Sequence, residues 1–389
     1  MTTTTKHTIH WLGAGLSSKP GIELLANSEH PLTVWNRSLA KAQTTLADIC
    51  AKLSIKQLDW QVLAASINPG DVVVSMLPAT KHLQVAQLCL ENQAHFVSSS
   101  YISPQMADLN NQAAAANLCL VNEIGLDPGI DHLLAHDLIE KYRTSAQFDK
   151  TNELYFRSYC GGFPKVANDF KYKFSWSPLG VLKALRSPAK WINNGEIVTS
   201  QAPWQALRDY QINSAEQQET FQAYPNRDST PFIQQYQFQS DWNVKEFVRG
   251  TLRLAGWSTA WQYLFDEIGQ LSDAESEQRL TEISQELEQK YSYDADEADR
   301  VVLCVELEAK NADNKVWHQS YLLDCIGNDS GQAMARLVSI PVAFAILSIL
   351  RGEIKPGVSA AVHEPEQVKA WLSKLIDLGE NIACHNHLN

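Results

Sequence analysis

Basic side chains are in short supply in this chain. Lys and Arg number 32 against 44 Asp and Glu, for a formal net charge of -12. A face that binds nucleic-acid phosphates needs the opposite balance. Nucleic acid is therefore excluded as the expected partner, while a local positive pocket for a small anion is not. Long apolar runs are also missing. The longest, Ile340 to Leu350, is interrupted by Pro341 and Ser348 and is too short to span a bilayer. The opening Met1-Thr-Thr-Thr-Thr-Lys-His7 has no apolar core of the kind a secretory signal carries. The seven cysteines form no C-x-x-C and no paired framework, so reduced thiols in a reducing cytosol are expected. These absences describe a cytoplasmic protein with neither membrane nor nucleic acid as partner.

What is present is a 389-residue chain, 44% hydrophobic and 20% charged, with room for two or three domains. From Thr8 to Val121 short apolar strands alternate with helical stretches. The strands read as Thr8–Leu12, Leu32–Trp35, Asp71–Leu77, Phe96–Ser99 and Leu118–Val121, and the helices include Ser38–Lys52, His82–Asn92 and Pro104–Asn117. Such alternation predicts a Rossmann-type, doubly wound parallel sheet. After Leu133 the pattern changes. Leu154–Cys160, Glu196–Thr199, Arg300–Lys310 and Trp317–Ile326 read as strands with polar alternation, the last two joined through Asn311-Ala-Asp-Asn314 as a hairpin.

A second α+β domain with a mostly antiparallel sheet follows from this pattern. The acidic stretch Asp273 to Arg300 reads as a solvated helix face. Gly331 to Leu350 reads as an apolar helix broken near Pro341 and packed on the first domain. The expected division is a dinucleotide-binding domain over 1–131, a substrate-binding and dimerisation domain over 132–330, and a C-terminal helical segment, 331–389, returning to the first domain. The terminal Cys384-His385-Asn-His387 reads as a frayed end, and no metal site is expected.

Gly13-Ala14-Gly15, followed by Leu16, directly follows the first strand. The first glycine allows a tight turn, and the second lets backbone amides approach a pyrophosphate at the next helix. The third glycine of the fingerprint is replaced by Ser18. The second strand ends in Asn36-Arg37-Ser38 and lacks the carboxylate that would take the ribose diol of NAD. Arg37 suits a 2′-phosphate, with Ser38 as a further donor, so NADP is expected in preference to NAD. Ser75 and Leu77, at the end of the next assigned strand, are expected to line the same groove.

Three further places concentrate chemistry. Asn122-Glu-Ile-Gly-Leu-Asp-Pro-Gly-Ile-Asp-His132 stands where a strand of such a sheet ends, and ligands of open α/β sheets bind there. Ser98 to Ser103 ends the preceding strand. Arg227 and Arg253 each occupy a short turn-like segment beside Gly or Pro, placements that suit carboxylate recognition or structural salt bridging.

The segments Gly-Leu-Asp-Pro-Gly-Ile-Asp-His, Ser-Tyr-Cys-Gly-Gly, Tyr-Lys-Phe-Ser-Trp-Ser-Pro, Tyr-Pro-Asn-Arg-Asp-Ser-Thr and Arg-Gly-Thr-Leu-Arg follow one another in this order. Together they resemble the L-glutamate-forming saccharopine dehydrogenases, also called saccharopine reductases, from Ile9 to about Val358. Departures fall at Phe163, Lys165-Val166 and Leu254. The resemblance implies that Leu126, Asp127 and Pro128 lie between cofactor and substrate, and that Ser100 and Tyr101 touch both. It also implies that Ser177 contacts the cofactor, and that Arg227, Thr251, Leu252 and Arg253 bind substrate. A homodimer is implied as well.

The implied reaction interconverts saccharopine, NAD(P)+ and water with L-glutamate, 2-aminoadipate 6-semialdehyde and NAD(P)H. Candidates for moving its protons are Asp127 first, then Tyr101 and Cys160, with His132 read as a structural hydrogen-bonding group. Alternatives are a carboxynorspermidine-type dehydrogenase, or a non-catalytic NADP sensor on the same fold.

Overall fold

The structure is a computed structural model that describes residues 6–213, 218–294, 296–312 and 314–388. Residues 1–5 of the opening segment and Asp313 of the expected hairpin connection lie outside the described residues. The chain divides into two units, Met1–Leu133 with Asp329–His363, and Leu134–Asn328 with Glu364–Asn389. The segment 331–389 therefore does not return to the first unit as a whole. From Glu364 onward it belongs to the second, where its last strand finds an open sheet edge.

The first unit holds β1 (Ile9–Leu12), β2 (Leu32–Asn36), β3 (Ser54–Gln57), β4 (Val72–Ser75), β5 (His95–Ser98), β6 (Cys119–Val121) and, from late in the chain, β15 (Gly357–Ser359). They pair in parallel in the order β15-β6-β5-β4-β1-β2-β3. β1 and β4 are buried along their whole length, which is why they read as continuous apolar runs. β3 and β15 escaped the sequence reading. β3 is a largely exposed edge strand, Ser-Ile-Lys-Gln, and β15 is three residues long.

One buried carboxylate is built into the amino end of this sheet. Asp71 accepts the N–H groups of Thr8 (2.7 Å) and Asn68 (2.8 Å) and lies 3.3 Å from His10 Nε2. The other His10 nitrogen accepts from Trp35 Nε1 at 3.2 Å. Each of these three buried side chains thus has a partner.

The apolar helix Ala333–Leu350 runs unbroken through Pro341, contrary to the expected break. Proline removes one backbone hydrogen bond, but a helix buried on nearly every side is held by its packing. By length and composition its 18 residues suffice to cross a membrane, yet 83% of them are buried in the fold. It packs on the helix Lys19–Ala26 where Gly21 leaves room. A Cβ on Gly21 would stand 2.4 Å from the Ser339 carbonyl oxygen. The Gly21 N–H donates to Ser339 Oγ at 2.8 Å.

The second unit holds β7 (Glu153–Pro164), β8 (Ala189–Asn193), β9 (Glu196–Ser200), β10 (Arg208–Asn213), β11 (Gln218–Pro225), β12 (Asn243–Leu254), β13 (Asp299–Asn311), β14 (Asn314–Ile326) and β16 (Ile382–Asn386). The order is β10-β11-β12-β7-β13-β14-β16, with β8 on β12 and β9 on β8. Among the described residues β7 and β12 pair in parallel and the remaining neighbours are antiparallel. Cys384, His385 and Asn386 are thus part of an edge strand, not a frayed end. The acidic helix Asp273–Tyr291 buries a stripe of Leu280, Ile283 and Leu287 against Trp257, Trp261 and Phe265, at the spacing of one helical face.

Candidate functional site

The turn after β1 is fixed by contacts that only glycine permits at its first position. Gly13 has φ +101°, and a Cβ there would lie 2.9 Å from the Met76 carbonyl oxygen. Ser18, in the place of the third glycine, donates its hydroxyl to the Gly13 carbonyl at 3.0 Å and is itself buried. The Ala14 N–H donates to Asn36 Oδ1 at 3.2 Å, and Asn36 Nδ2 donates to the Ser38 carbonyl at 2.8 Å. Asn36 therefore ties the glycine turn to the end of β2.

Ser38 Oγ accepts the Lys41 N–H at 3.3 Å and caps the helix Leu39–Thr45. Gly15, Leu16 and Arg37 are exposed, and nothing stands within 4 Å of a Cβ built on Gly15. An open turn at a helix start, beside an exposed guanidinium and no carboxylate at the end of β2, fits a dinucleotide carrying a 2′-phosphate.

The carboxyl ends of β4, β5 and β6 form a second group. The Tyr101 hydroxyl donates to Asp127 Oδ1 at 3.0 Å, and both side chains are half-buried. Leu126 and Pro128 beside them are buried, and the Asp127–Pro128 peptide is cis. A buried chain of two carboxyl groups and an imidazole lies beneath. Glu123 Oε1 accepts the Ile102 N–H (3.0 Å), and Glu123 Oε2 lies 3.1 Å from His132 Nε2. Asp131 Oδ2 lies 3.6 Å from His132 Nδ1, and its Oδ1 accepts the Gly129 N–H at 2.6 Å. The residue next to Tyr101 and a residue two past Asp127 are thus pinned through one set of side chains.

Ser75 and Ser100 are both bound by His82, a residue the sequence reading passed over. Its Nδ1 lies 2.8 Å from Ser75 Oγ and its Nε2 2.8 Å from Ser100 Oγ. Leu77, on the same strand exit as Ser75, is half-buried.

The second unit carries the remaining predicted residues. Cys160 is buried on β7 and is the register partner of Thr251 on β12. Leu252 and Arg253 follow Thr251 and are buried. The Arg253 guanidinium lies 5.0 Å from the Tyr172 ring, 5.3 Å from Trp257 and 5.5 Å from Tyr224, and Nη1 donates to the Leu252 carbonyl at 3.1 Å. Its Nε has no hydrogen-bond partner, and among the described residues no carboxylate pairs with this side chain. A cation so held is ready for an anion.

Arg227 is exposed in the turn after β11, with φ +58°. Ser177 caps the helix Pro178–Leu185 by accepting the Gly180 N–H at 3.2 Å. The structure thus brings together Tyr101 with Asp127, Ser75 with Ser100, and Cys160 with Thr251. Cys160 belongs to the other unit from Tyr101 and Asp127.

Glu306, Glu308 and His318 place donor atoms within 4.8 Å of one another. The carboxylates are engaged by Arg157, Lys310 and Lys315, which makes this an ion-pair cluster.

A parallel sheet of order β6-β5-β4-β1-β2-β3 with a glycine turn after its first strand, joined in one chain to a mixed-sheet unit, defines a two-domain protein with a Rossmann-type dinucleotide-binding unit. Comparison with known proteins makes the assignment specific. The saccharopine dehydrogenase NADP binding domain matches residues 9–121, and the saccharopine dehydrogenase C-terminal domain matches residues 125–379. The chain belongs to the saccharopine dehydrogenase family.

It is 32% identical to the saccharopine dehydrogenase [NADP(+), L-glutamate-forming] of Saccharomyces cerevisiae, over 91% of this chain and 93% of that one. It is 38% identical to the enzyme of the same name from Pyricularia oryzae, over 68% of this chain but only 58% of that protein's length. The apo structure of the histidine-tagged L-Glu-forming saccharopine dehydrogenase from S. cerevisiae superposes with a TM-score of 0.78. That match has 29% identity and covers 98% of this chain and 99% of that one.

Proposed function

We propose that this protein interconverts saccharopine, NADP+ and water with L-glutamate, 2-aminoadipate 6-semialdehyde, NADPH and a proton, as a step of lysine metabolism. The observation that carries the reading is the likeness to the S. cerevisiae enzyme along nearly the whole of both chains. The geometry supports it through the Tyr101–Asp127 pair at the sheet's carboxyl ends and the desolvated Arg253, which has rings but no carboxylate around it.

When bound, NADP+ would supply the acceptor for the hydride that leaves the ε-carbon of the lysine-derived half of the substrate. Asp127 takes the proton from the substrate's secondary amine as the carbon–nitrogen double bond forms. It returns a proton to that nitrogen as the water adduct collapses and the carbon–nitrogen bond breaks. Tyr101, by donating to Oδ1, fixes the orientation of the carboxylate. Arg227 and Arg253 bind substrate carboxylates and set its orientation, with Thr251 and Leu252 as the further expected substrate positions. Cys160 is the second candidate for proton transfer. The open glycine turn, Arg37 and Ser38 hold the dinucleotide, with Ser75, Leu77, Ser100, Leu126, Pro128 and Ser177 as its further expected contacts. A homodimer in the cytoplasm completes the proposal, and the seven free cysteines agree with a reducing compartment.

The test is to mix purified protein with saccharopine and NADP+ or NAD+ and follow the absorbance of the reduced nicotinamide. Reduction with saccharopine, faster with NADP+, is expected. A signal only with a carboxylated polyamine, or NADPH binding with no turnover of any such amine, overturns the proposal.

A further inference from the structure

Ser75 closes β4 and Ser100 follows β5, and a single imidazole holds both. His82 is 6% exposed, rests edge-on against Phe96 at 6.3 Å and lies in the first turn of the helix His82–Glu91. Burial pushes its pKa down to about 4, so the ring is neutral near pH 7. The positive end of the helix acts in the same direction.

A neutral imidazole has one donor nitrogen and one acceptor nitrogen. Ser75 is wholly buried, so its hydroxyl proton needs an acceptor within the protein, and His82 Nδ1 at 2.8 Å is that acceptor. The ring proton then resides on Nε2 and is donated to Ser100 Oγ, also at 2.8 Å. Ser100 is only half-buried. With the imidazole N–H on one of its two lone pairs, its own O–H is free to point at a ligand.

We infer that His82 is a positioning residue, which through the Ser75–His82–Ser100 chain makes the Ser100 hydroxyl a donor toward an oxygen of the bound dinucleotide or of the substrate. The inference rests on the reading of Ser100 as a ligand contact. It assigns the polarity of that contact to a side chain that touches neither ligand.

The experiment compares His82→Phe, Ser100→Ala and the double variant. NADPH dissociation constants are read by fluorescence titration, and KM and kcat for saccharopine are read in the coupled direction. A change confined to NADPH affinity places the accepting oxygen on the dinucleotide, and a change confined to saccharopine KM places it on the substrate. Each single substitution is expected to weaken one of these by about ten-fold, the worth of one hydrogen bond. The double variant is expected to be no worse than Ser100→Ala alone. His82→Gln, whose amide keeps a donor and an acceptor, is expected to recover most of the loss.

A loss from His82→Phe that is as large in the Ser100→Ala background as in the unmodified protein overturns the inference. So does a His82→Phe protein with unchanged binding and kinetics. Should the phenylalanine variant fail to fold, as judged by circular dichroism, His82→Asn carries the same comparison, because its side chain is too short to bridge both serines. Failure of the unmodified protein to oxidise saccharopine strikes the proposed reaction, and the NADPH titrations still decide the role of His82.

Discussion

Replacing Gly21 with alanine sets two effects of opposite sign against each other. Within a helix the change is worth up to about 1 kcal/mol in favour of folding, because alanine loses less backbone freedom. Here the new methyl carbon would lie 2.4 Å from the Ser339 carbonyl oxygen and 2.8 Å from the Ser339 carbonyl carbon and Cβ. Relaxed carbon contacts need roughly 3.5 Å. The helices Lys19–Ala26 and Ala333–Leu350 must therefore separate by about 1 Å, at a cost of about 1–3 kcal/mol for overpacking.

The same displacement stretches the Gly21 N–H to Ser339 Oγ bond of 2.8 Å and endangers about another 1 kcal/mol. Overpacking wins, and a net loss of about 1–3 kcal/mol is expected, on the order of 3–10 °C in the melting of the first unit. Gly269, in the helix Gln262–Gln270, supplies the control. Nothing stands within 4 Å of its added Cβ, so Gly269→Ala is expected to leave stability unchanged or raise it by up to about 1 kcal/mol. Calorimetry of both variants beside the unmodified protein is the assay. A Gly21→Ala protein that melts at the same temperature or higher would refute the claim that this helix pair is in backbone contact.

Arg37→Ala should cost NADP+ about 2 kcal/mol of binding, roughly 30-fold in KM, and leave NAD+ nearly unchanged. Equal losses for both cofactors would remove Arg37 from the 2′-phosphate. Asp127→Asn should lower kcat by about 100-fold or more and flatten the acidic limb of the pH profile, with a smaller loss for Tyr101→Phe; an unaltered pH profile would dismiss Asp127 as the proton acceptor. Acid should weaken the first unit through His82. Its folded pKa of about 4 lies below the ordinary 6.5, so the unfolded chain takes up the proton first. The contribution is whole above pH 6.5 and is lost as the pH falls toward 4, about 2 kcal/mol of it by pH 5. Urea titrations at pH 7.5 and 5 check this, and a His82→Phe protein with the same pH dependence would contradict it.

The first unit was legible wherever burial on both faces wrote continuous apolar strands, as at Ile9–Leu12 and Val72–Ser75. β3 left no such trace because an exposed edge strand needs no apolar run. β15 is three residues that mean nothing until β6 offers them an edge. Pro341 suggested a break, since a proline costs an isolated helix a hydrogen bond and a clash. The burial of Ala333–Leu350 offsets that cost, and only the fold shows the burial.

In the candidate site, Tyr101 and Asp127 were readable as chemistry, and their 3.0 Å contact followed from adjacent strand ends. His82 was not readable. A histidine opening a helix has no periodic signature, and its two partners are 7 and 18 residues away, one on a strand and one just past the next. Glu123 likewise looked like one carboxylate among several until His132 was found 3.1 Å from it.

The late arrival of β15 and of the helix Ala333–Leu350 imposes an order on biosynthesis. A ribosome that has released β6 has every other strand of the first sheet in hand, but it must still translate the whole intervening stretch before Gly357–Ser359 can pair with Cys119–Val121. At about 5–20 residues per second that interval is on the order of tens of seconds. Throughout it the nascent nucleotide-binding unit exposes an open strand edge, and the groove beside Gly21 stands empty. Any premature stop upstream of Gly357 yields a protein whose first sheet lacks its β15 edge, however intact its cofactor-binding turn.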